Sequence, residues 1–206
     1  VGRATAGPGE RALVIGAGPI GLGVMAFARE SGAEVILGGG EKYFVPEGVE
    51  GVYGPGARKD GRDLIAEAKE RGYTVVRTRA ELLSLPDTVN KVLGLFASYH
   101  TFNDQPEERL LGKGLVAWRE EAPTIAEMTQ LALDVLSRSG RRFFLVSEEE
   151  GSDNMANANN AMGEIVAGQR ADEAIGAIRA FIDDNPKGKH GQHVYAPEDF
   201  GVDPDA

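Results

Sequence analysis

Short, continuous apolar runs alternate along the chain with segments whose apolar residues recur at helical spacing. The apolar runs predict buried β-strands at 12–15, 34–37, 73–78, 92–97 and 142–147. The helical spacing predicts α-helices at 19–30, 62–71, 80–85, from Thr124 onward and at 165–182. Strands that alternate with helices are typical of a mostly parallel sheet with helices on both faces, which is a doubly wound α/β fold.

Two of the predicted helices carry further signals. Thr124 and Glu127 have the spacing of a capping box, which predicts that a helix begins at this point. The last helix is predicted to turn four isoleucines toward the core, namely Ile165, Ile175, Ile178 and Ile182. Residues 45–61 and 100–116 lack periodicity and are expected to be irregular. We expect one α/β domain over 1–186 and, because 187–206 show no period, a loose tail there.

Charge and composition narrow the possible partners. The 206 residues include 22 basic and 32 acidic side chains, for a formal net charge of −10. This balance argues against nonspecific binding to nucleic acid or to an anionic membrane, because both favour basic patches. The chain contains no cysteine, so a metal would have to bind oxygen or imidazole ligands. The sequence shows no membrane span and no export signal.

A glycine-rich turn follows the first predicted strand. Gly16, Gly18 and Gly21 match the pattern G-x-G-x-x-G between a strand and a helix, where backbone amides can bind a pyrophosphate. A nicotinamide cofactor also needs a carboxylate for its ribose near the end of the second strand, and here that strand ends in three glycines, 38–40. Cofactor binding and close packing of the helix on the strand both stay open.

Residues 9–37, which include this turn, resemble the coenzyme-binding segment of medium-chain alcohol dehydrogenases. The resemblance implies that Gly16, Gly18 and Gly21 contact an NAD(P) cofactor. It does not extend to the ribose-binding acid or to the zinc ligands of that family, which have no counterpart at the matching positions.

Acidic residues crowd the end of the last predicted strand. Glu148, Glu149, Glu150 and Asp153 fall within six residues, and several asparagines follow them. Like charges at this spacing repel one another unless a cation or solvent relieves them, and hard divalent cations prefer carboxylate and amide oxygens. Because ligands of parallel sheets gather at the carboxyl ends of the strands, a cation site is one interpretation. A solvated acidic loop that caps the next helix is the other.

A second resemblance covers about residues 33–185. Several blocks are similar, in the same order, to the central and later part of alkaline phosphatases: 34–40, 42–44, 60–65, 72–73, 93–97, 123–129 and 143–145. The resemblance implies a metal-dependent phosphomonoesterase that uses Mg and Zn and binds a phosphate monoester or phosphate. It also implies that the chain holds the fold of that family incompletely.

The phosphatase resemblance assigns roles at the acidic strand end. Glu148 matches a magnesium-binding glutamate, Asp153 matches a zinc-binding aspartate, and Asn157 stands where a zinc-binding histidine is expected. Altered metal use is expected, because an amide oxygen is a poor substitute for imidazole on zinc. The family's serine nucleophile belongs to a region before residue 33, where the dehydrogenase-like segment stands instead, so we identify no catalytic residue.

Three functions are therefore possible from the sequence. They are an incomplete or weakly active phosphatase-like hydrolase, an NAD(P)-binding oxidoreductase fragment, and a composite chain without catalysis. The phosphatase resemblance further implies a homodimer and a periplasmic or extracellular location. His100, His190 and His193 are interpreted as surface or packing residues, with His190 a weak candidate ligand.

Overall fold

The computed structural model describes residues 33–140 and 143–185, and the backbone of 11–15. Its strands are β1 (Arg11–Ile15), β2 (Val35–Gly38), β3 (Glu50–Gly51), β4 (Gly54–Pro55), β5 (Thr74–Val76), β6 (Val92–Leu95) and β7 (Phe143–Ser147). Its α-helices are α1 (Leu64–Glu70), α2 (Arg79–Leu83), α3 (Glu107–Gly112), α4 (Ile125–Ser137), α5 (Gly151–Asn157) and α6 (Ala161–Asp184), and a short 3₁₀ turn spans Glu41–Tyr43. The predicted helix at 19–30 and the predicted tail at 187–206 lie outside the described residues.

Five strands form one sheet in the order β5-β6-β2-β1-β7, and every neighbouring pair is parallel. The five strands predicted from apolar runs are confirmed, each within a few residues of its predicted bounds. The remaining two strands, β3 and β4, form a small antiparallel hairpin inside the segment expected to be a long loop. All carboxyl ends of the main sheet therefore lie on one edge.

Apolar clusters cover the two faces of this sheet. On one side Val35 and Leu37 pack with residues of α4, such as Leu136, and with Ala174 of α6. On the other side Ile36 packs with Ile65 of α1. Alternate residues of β2 thus point into different clusters, as the period of a strand requires. The predicted α/β fold, with a parallel sheet and helices, is confirmed.

The capping box predicted at the start of α4 is present. The Thr124 hydroxyl accepts a hydrogen bond from the backbone N–H of Glu127, and the Glu127 carboxylate accepts one from the backbone N–H of Thr124. Two of the four amides that would otherwise lack partners at the helix start are satisfied in this way.

The prediction for the last helix was wrong for two of its four inner isoleucines, Ile165 and Ile175, and the helix is longer than predicted, whereas Ile178 and Ile182 are partly buried. Helix α6 begins at Ala161, and its buried residues are Gly163, Ala167 and Ala174. Ile165 and Ile175 are more than half exposed. Small residues on the inner face let α6 approach α4 and α5 closely, and on a straight helix they lie away from these two isoleucines.

Helix α5 was not predicted. It lies within the stretch 148–160 that was interpreted as an acidic loop or a cation site. Its seven residues are mostly small or polar and provide no apolar stripe, and Met155 is its one buried large side chain. The short helix α3 was likewise missed within the segment 100–116 expected to be irregular.

Candidate functional site at the carboxyl edge of the sheet

A cavity of about 30 Å³ lies at the carboxyl edge of the sheet, where β2 and β7 end. It is lined by Gly38 and Gly39 after β2, by His100, and by the three consecutive glutamates at 148–150 after β7. A volume of this size accommodates one or two water molecules or a single ion, on the basis of about 10–15 Å³ per water position.

Close backbone packing forms one wall of the cavity. The backbone N–H of Gly40 donates to the carbonyl of Tyr99 at 2.7 Å, and a Cβ atom on Gly39 would lie 1.9 Å from the same oxygen. Only glycine fits at position 39 without a shift of the backbone. The second and third of the glycines that end the predicted strand thus bring the segment that carries His100 against the sheet.

Glu149 is the most completely paired of the three glutamates. Its side chain is 9% exposed, accepts a hydrogen bond from the backbone N–H of Gly151 at 3.0 Å, and lies 3.8 Å from Nε of Arg170. Burial raises the pKa of Glu149, although the Gly151 amide and the Arg170 charge both oppose this shift. Glu149 therefore links the strand end to helix α6.

Arg170 reaches the cavity from the middle of α6. Its guanidinium lies over the ring of Trp118, 4.2 Å from the ring centroid, in cation–π geometry. Burial lowers the pKa of Arg170, against the opposing effect of Glu149. The Trp118 ring also packs on the start of α5, since a Cβ atom on Gly151 would lie 2.4 Å from it.

Glu150 faces a histidine. Its Oε2 lies 3.4 Å from Nδ1 of His100, whose side chain is 9% exposed. Nε2 of the same ring lies 3.3 Å from Nδ2 of Asn154, and this amide also donates to Oδ2 of Asp104 at 3.1 Å. The ring stacks on Phe102 with centroids 4.9 Å apart. His100, interpreted from the sequence as a surface or packing residue, is a buried member of the cavity wall.

Glu148 lines the same cavity without a neutralising partner. Among the residues whose side chains are described, none forms a salt bridge or hydrogen bond with its carboxylate. Burial raises the pKa of Glu148, and the neighbouring Glu150 raises it further. Just before it, Ser147 Oγ lies 2.9 Å from Oγ1 of the fully buried Thr129, which anchors the strand end to α4.

The other predicted metal ligands do not line the cavity. Asp153 and Asn157 are exposed on α5, and Nδ2 of Asn157 donates to the backbone carbonyl of Asp153 at 3.0 Å. Over 33–140 and 143–185, no three His, Asp or Glu side chains are grouped so that they could hold a metal ion. Metal binding by Glu148, Asp153 and Asn157 therefore stays a prediction.

Several other candidates lie outside the described residues, namely Gly16, Gly18, Gly21, His190 and His193. Sequence reasoning did not identify Arg170 or Trp118 as site residues. The acidic stretch itself was a signal for Arg170, because a cluster of buried carboxylates needs a cationic partner. No spacing in the sequence connects Arg170 or Trp118 to that cluster.

A parallel α/β sheet with its polar cavity at the carboxyl edge defines a class of ligand-binding α/β proteins. The chain belongs to the alkaline phosphatase family, whose model matches residues 24–188. It is 32% identical over 158 residues to the alkaline phosphatase of Escherichia fergusonii. The aligned region covers 69% of this chain and 32% of that protein. The chain thus spans about a third of the length of this curated relative.

Solved structures agree with this assignment. The crystal structure of Thermus thermophilus alkaline phosphatase matches with a TM-score of 0.65 and 29% identity, over 87% of this chain and 37% of that one. A variant of the alkaline phosphatase from the Antarctic bacterium TAB5, described with bound Mg, has a TM-score of 0.58 at 22% identity, over 85% and 48% of the two chains.

The dehydrogenase-like interpretation of residues 9–37 has no support from these comparisons, and the family match itself begins at residue 24. No helix in the described part of the chain combines the length and apolar character needed to cross a membrane.

Proposed function

We propose that the chain is part of an alkaline phosphatase-type, metal-dependent phosphomonoester hydrolase, and that its cavity contributes a cation site. One observation carries the proposal. Glu148 lines a cavity at the carboxyl edge of the sheet with a half-buried carboxylate that has no salt bridge or hydrogen bond to any side chain or amide in the described part of the chain. A bound cation would offset the cost that burial and the Glu150 charge impose on the ionised form of Glu148.

The residues of the cavity fit Mg²⁺. Magnesium takes oxygen ligands, usually one or two carboxylates completed by water, and Glu148 places one carboxylate in the lining of the cavity. The TAB5 variant with bound Mg is a fold relative that supports this choice. Zinc fits less well, because Asn157 offers an amide oxygen where imidazole is the favoured ligand. Asp153 and Asn157, both exposed on α5, are proposed as outer ligands with altered metal use.

A divalent cation bound here would neutralise charge on a phosphoryl group and orient it for attack. The residues of this chain would hold that cation and keep the strand end in place. Glu148 supplies the carboxylate, and Glu149 ties the strand end to α6 through Arg170. No nucleophile is identified in this chain. Hydrolysis of phosphate monoesters is therefore proposed for the whole protein from its family.

Binding and turnover can be measured separately on the purified chain. We expect Mg²⁺ to bind with a stoichiometry of about one at this site, as titration calorimetry would show. Trp118 gives a second measurement, since it is the only tryptophan and it lines the cavity, so its fluorescence should change on binding. Chelator-sensitive hydrolysis of an aryl phosphate would establish turnover.

The matched variants are Glu148→Gln and Glu70→Gln, the second altering an exposed glutamate at the end of α1. We expect Glu148→Gln to abolish Mg²⁺ binding and Glu70→Gln to leave it unchanged. Unchanged binding in Glu148→Gln would overturn the site. Binding without hydrolysis would retain the cation site and identify the chain as a non-catalytic scaffold.

A further inference from the structure

The three consecutive glutamates differ in what holds their carboxylates. Glu149 is held by the Gly151 amide and Arg170, and Glu148 has no described partner. The one ionic neighbour described for Glu150 is the imidazole of His100, with 3.4 Å between Oε2 and Nδ1. The position of the Glu150 carboxylate beside the cavity therefore depends on whether Nδ1 of His100 carries a hydrogen.

The amide of Asn154 sets the hydrogen pattern of the ring. Its Nδ2 donates to the Asp104 carboxylate, which can only accept when ionised, and this contact fixes which end of the amide faces Asp104 and His100. The same nitrogen has a second hydrogen to donate, and it lies 3.3 Å from Nε2 of His100. Asp104 Oδ2 is 3.9 Å from Nε2, beyond hydrogen-bond distance, so the Asn154 amide is the nearer partner of this nitrogen. A neutral ring whose Nε2 accepts from that amide carries its proton on Nδ1, which faces Glu150.

Packing keeps the ring in this orientation. His100 lies between Tyr99, with ring centroids 4.0 Å apart, and Phe102, at 4.9 Å. Its side chain is 91% buried, being 9% exposed, and Nδ1 is shielded from solvent without a hydrogen-bond partner of good geometry. A buried donor in this state gains from any small movement of Glu150 toward it.

We propose that His100 is a positioning residue that acts on Glu150 through a protonated Nδ1. By holding the Glu150 carboxylate at the His100 side of the cavity, it leaves Glu148 as the carboxylate available to a cation. This inference rests on the cation site proposed above. His100 does not contact the cation or the substrate in this proposal. Asp104 orients the amide of Asn154, this amide orients the His100 ring, and the ring positions Glu150.

Two substitutions separate the two ring nitrogens. His100→Asn places an amide nitrogen near the position of Nδ1 and can still donate to Glu150. His100→Gln places its amide near the position of Nε2 and can still accept from Asn154, but it has no donor toward Glu150. Both variants lose the ring and its stacking on Phe102. Because Asn is smaller than Gln and leaves the larger void, a role in packing alone would make His100→Asn at least as damaging as His100→Gln.

The closing experiment measures Mg²⁺ affinity of the whole purified chain by calorimetry and Trp118 fluorescence. We expect His100→Gln to weaken Mg²⁺ binding about tenfold, as the loss of an outer partner does at other metal sites, and His100→Asn to recover most of the affinity. Weakening in His100→Asn at least as large as in His100→Gln, or none in His100→Gln, would overturn the positioning role while the cation site remained. Absence of Mg²⁺ binding in the unmodified chain would overturn both.

A measurement without metal tests the tautomer by itself. Long-range ¹⁵N–¹H NMR spectra at a pH where the ring is neutral distinguish protonated Nδ1 from protonated Nε2, and comparison with His100→Gln assigns the signal. We expect protonated Nδ1 and bare Nε2. The opposite tautomer would overturn the inference even if Mg²⁺ binds as proposed.

Discussion

Two strands, β2 and β7, are followed by acidic residues at the same edge of the sheet, and the surroundings of these carboxylates differ. After β2, Glu41 is 1% exposed and accepts hydrogen bonds from the backbone amides of Val52, at 3.2 Å, and Tyr53, at 2.6 Å. Its carboxylate also pairs with the guanidinium of Arg77. After β7, Glu148 lines a cavity and has no described partner for its charge.

The comparison shows that burial alone does not distinguish a structural carboxylate from a functional one. Glu41 is more deeply buried, yet its charge and lone pairs are satisfied, and it ties the β3–β4 hairpin to the sheet through Val52 and Tyr53. Glu148 lines a cavity without an ionic partner among the described residues, and a bound cation would balance its charge. Each of the following changes tests one side of this difference.

Loss of the Glu41 carboxylate should have the largest effect. Glu41→Ala leaves Arg77 without its partner and two backbone amides without an acceptor, so we expect the free energy of unfolding to fall by about 3–5 kcal/mol. Urea denaturation measures the change, with the exposed Glu70→Ala as control, expected to be within about 0.5 kcal/mol of the unmodified chain. A loss no larger than that of the control would show that Glu41 is not the structural carboxylate described above.

Loss of Arg170 should have a smaller effect that depends on pH. Arg170→Met retains much of the packing on Trp118 but leaves Glu149 without its cation, and we expect a loss of about 2 kcal/mol near neutral pH. Without Arg170 the pKa of Glu149 rises further, so the folded state takes up a proton more readily than the unfolded chain. The loss should shrink as pH falls toward 5, and urea denaturation at both pH values would reveal a pH-independent loss if this explanation were wrong.

Replacing Glu148 should stabilise the metal-free chain slightly. Because burial raises the pKa of Glu148, the folded state binds its proton more tightly than the unfolded chain does, and stability falls as pH rises through this range. Glu148→Gln removes this cost, and we expect a gain of at most about 1 kcal/mol at neutral pH. Thermal melts in chelator should show this gain. Separate melts in Mg²⁺ without chelator should show that Mg²⁺ stabilises the unmodified chain but not Glu148→Gln.

The exposed pair between Arg79 and Glu127 should matter least. Arg79 Nε lies 2.9 Å from the Glu127 carboxylate and lowers the pKa of Glu127, so the stabilisation is present above the ordinary pKa of that carboxyl and is lost as pH falls. Since Arg79 is about half exposed, Arg79→Ala should lower the free energy of unfolding less than the other destabilising changes described here. A cost above that of Arg170→Met would reverse the order expected from burial.

Much of the fold could be predicted because strands and helices leave local patterns. The run at 92–97 and the capping box at Thr124 depend on neighbours a few residues away, and both predictions were confirmed. The inner face of α6 could not be predicted in this way. Ile165 and Ile175 are apolar, but the close approach of α6 to other helices favours Gly163 and Ala167 at the contact.

The candidate site, too, could be predicted from the sequence only in part. Local sequence was sufficient to place a run of glutamates at the end of a strand and therefore at the ligand-binding edge of a parallel sheet. Only the tertiary structure decided that Glu149 meets Arg170, that Glu150 meets His100 and that Glu148 has no such partner within 33–140 and 143–185. Arg170 is 21 residues from Glu149 in the chain, and His100 is 50 residues from Glu150. Charge pairing depends on distance in space, and folding alone sets that distance.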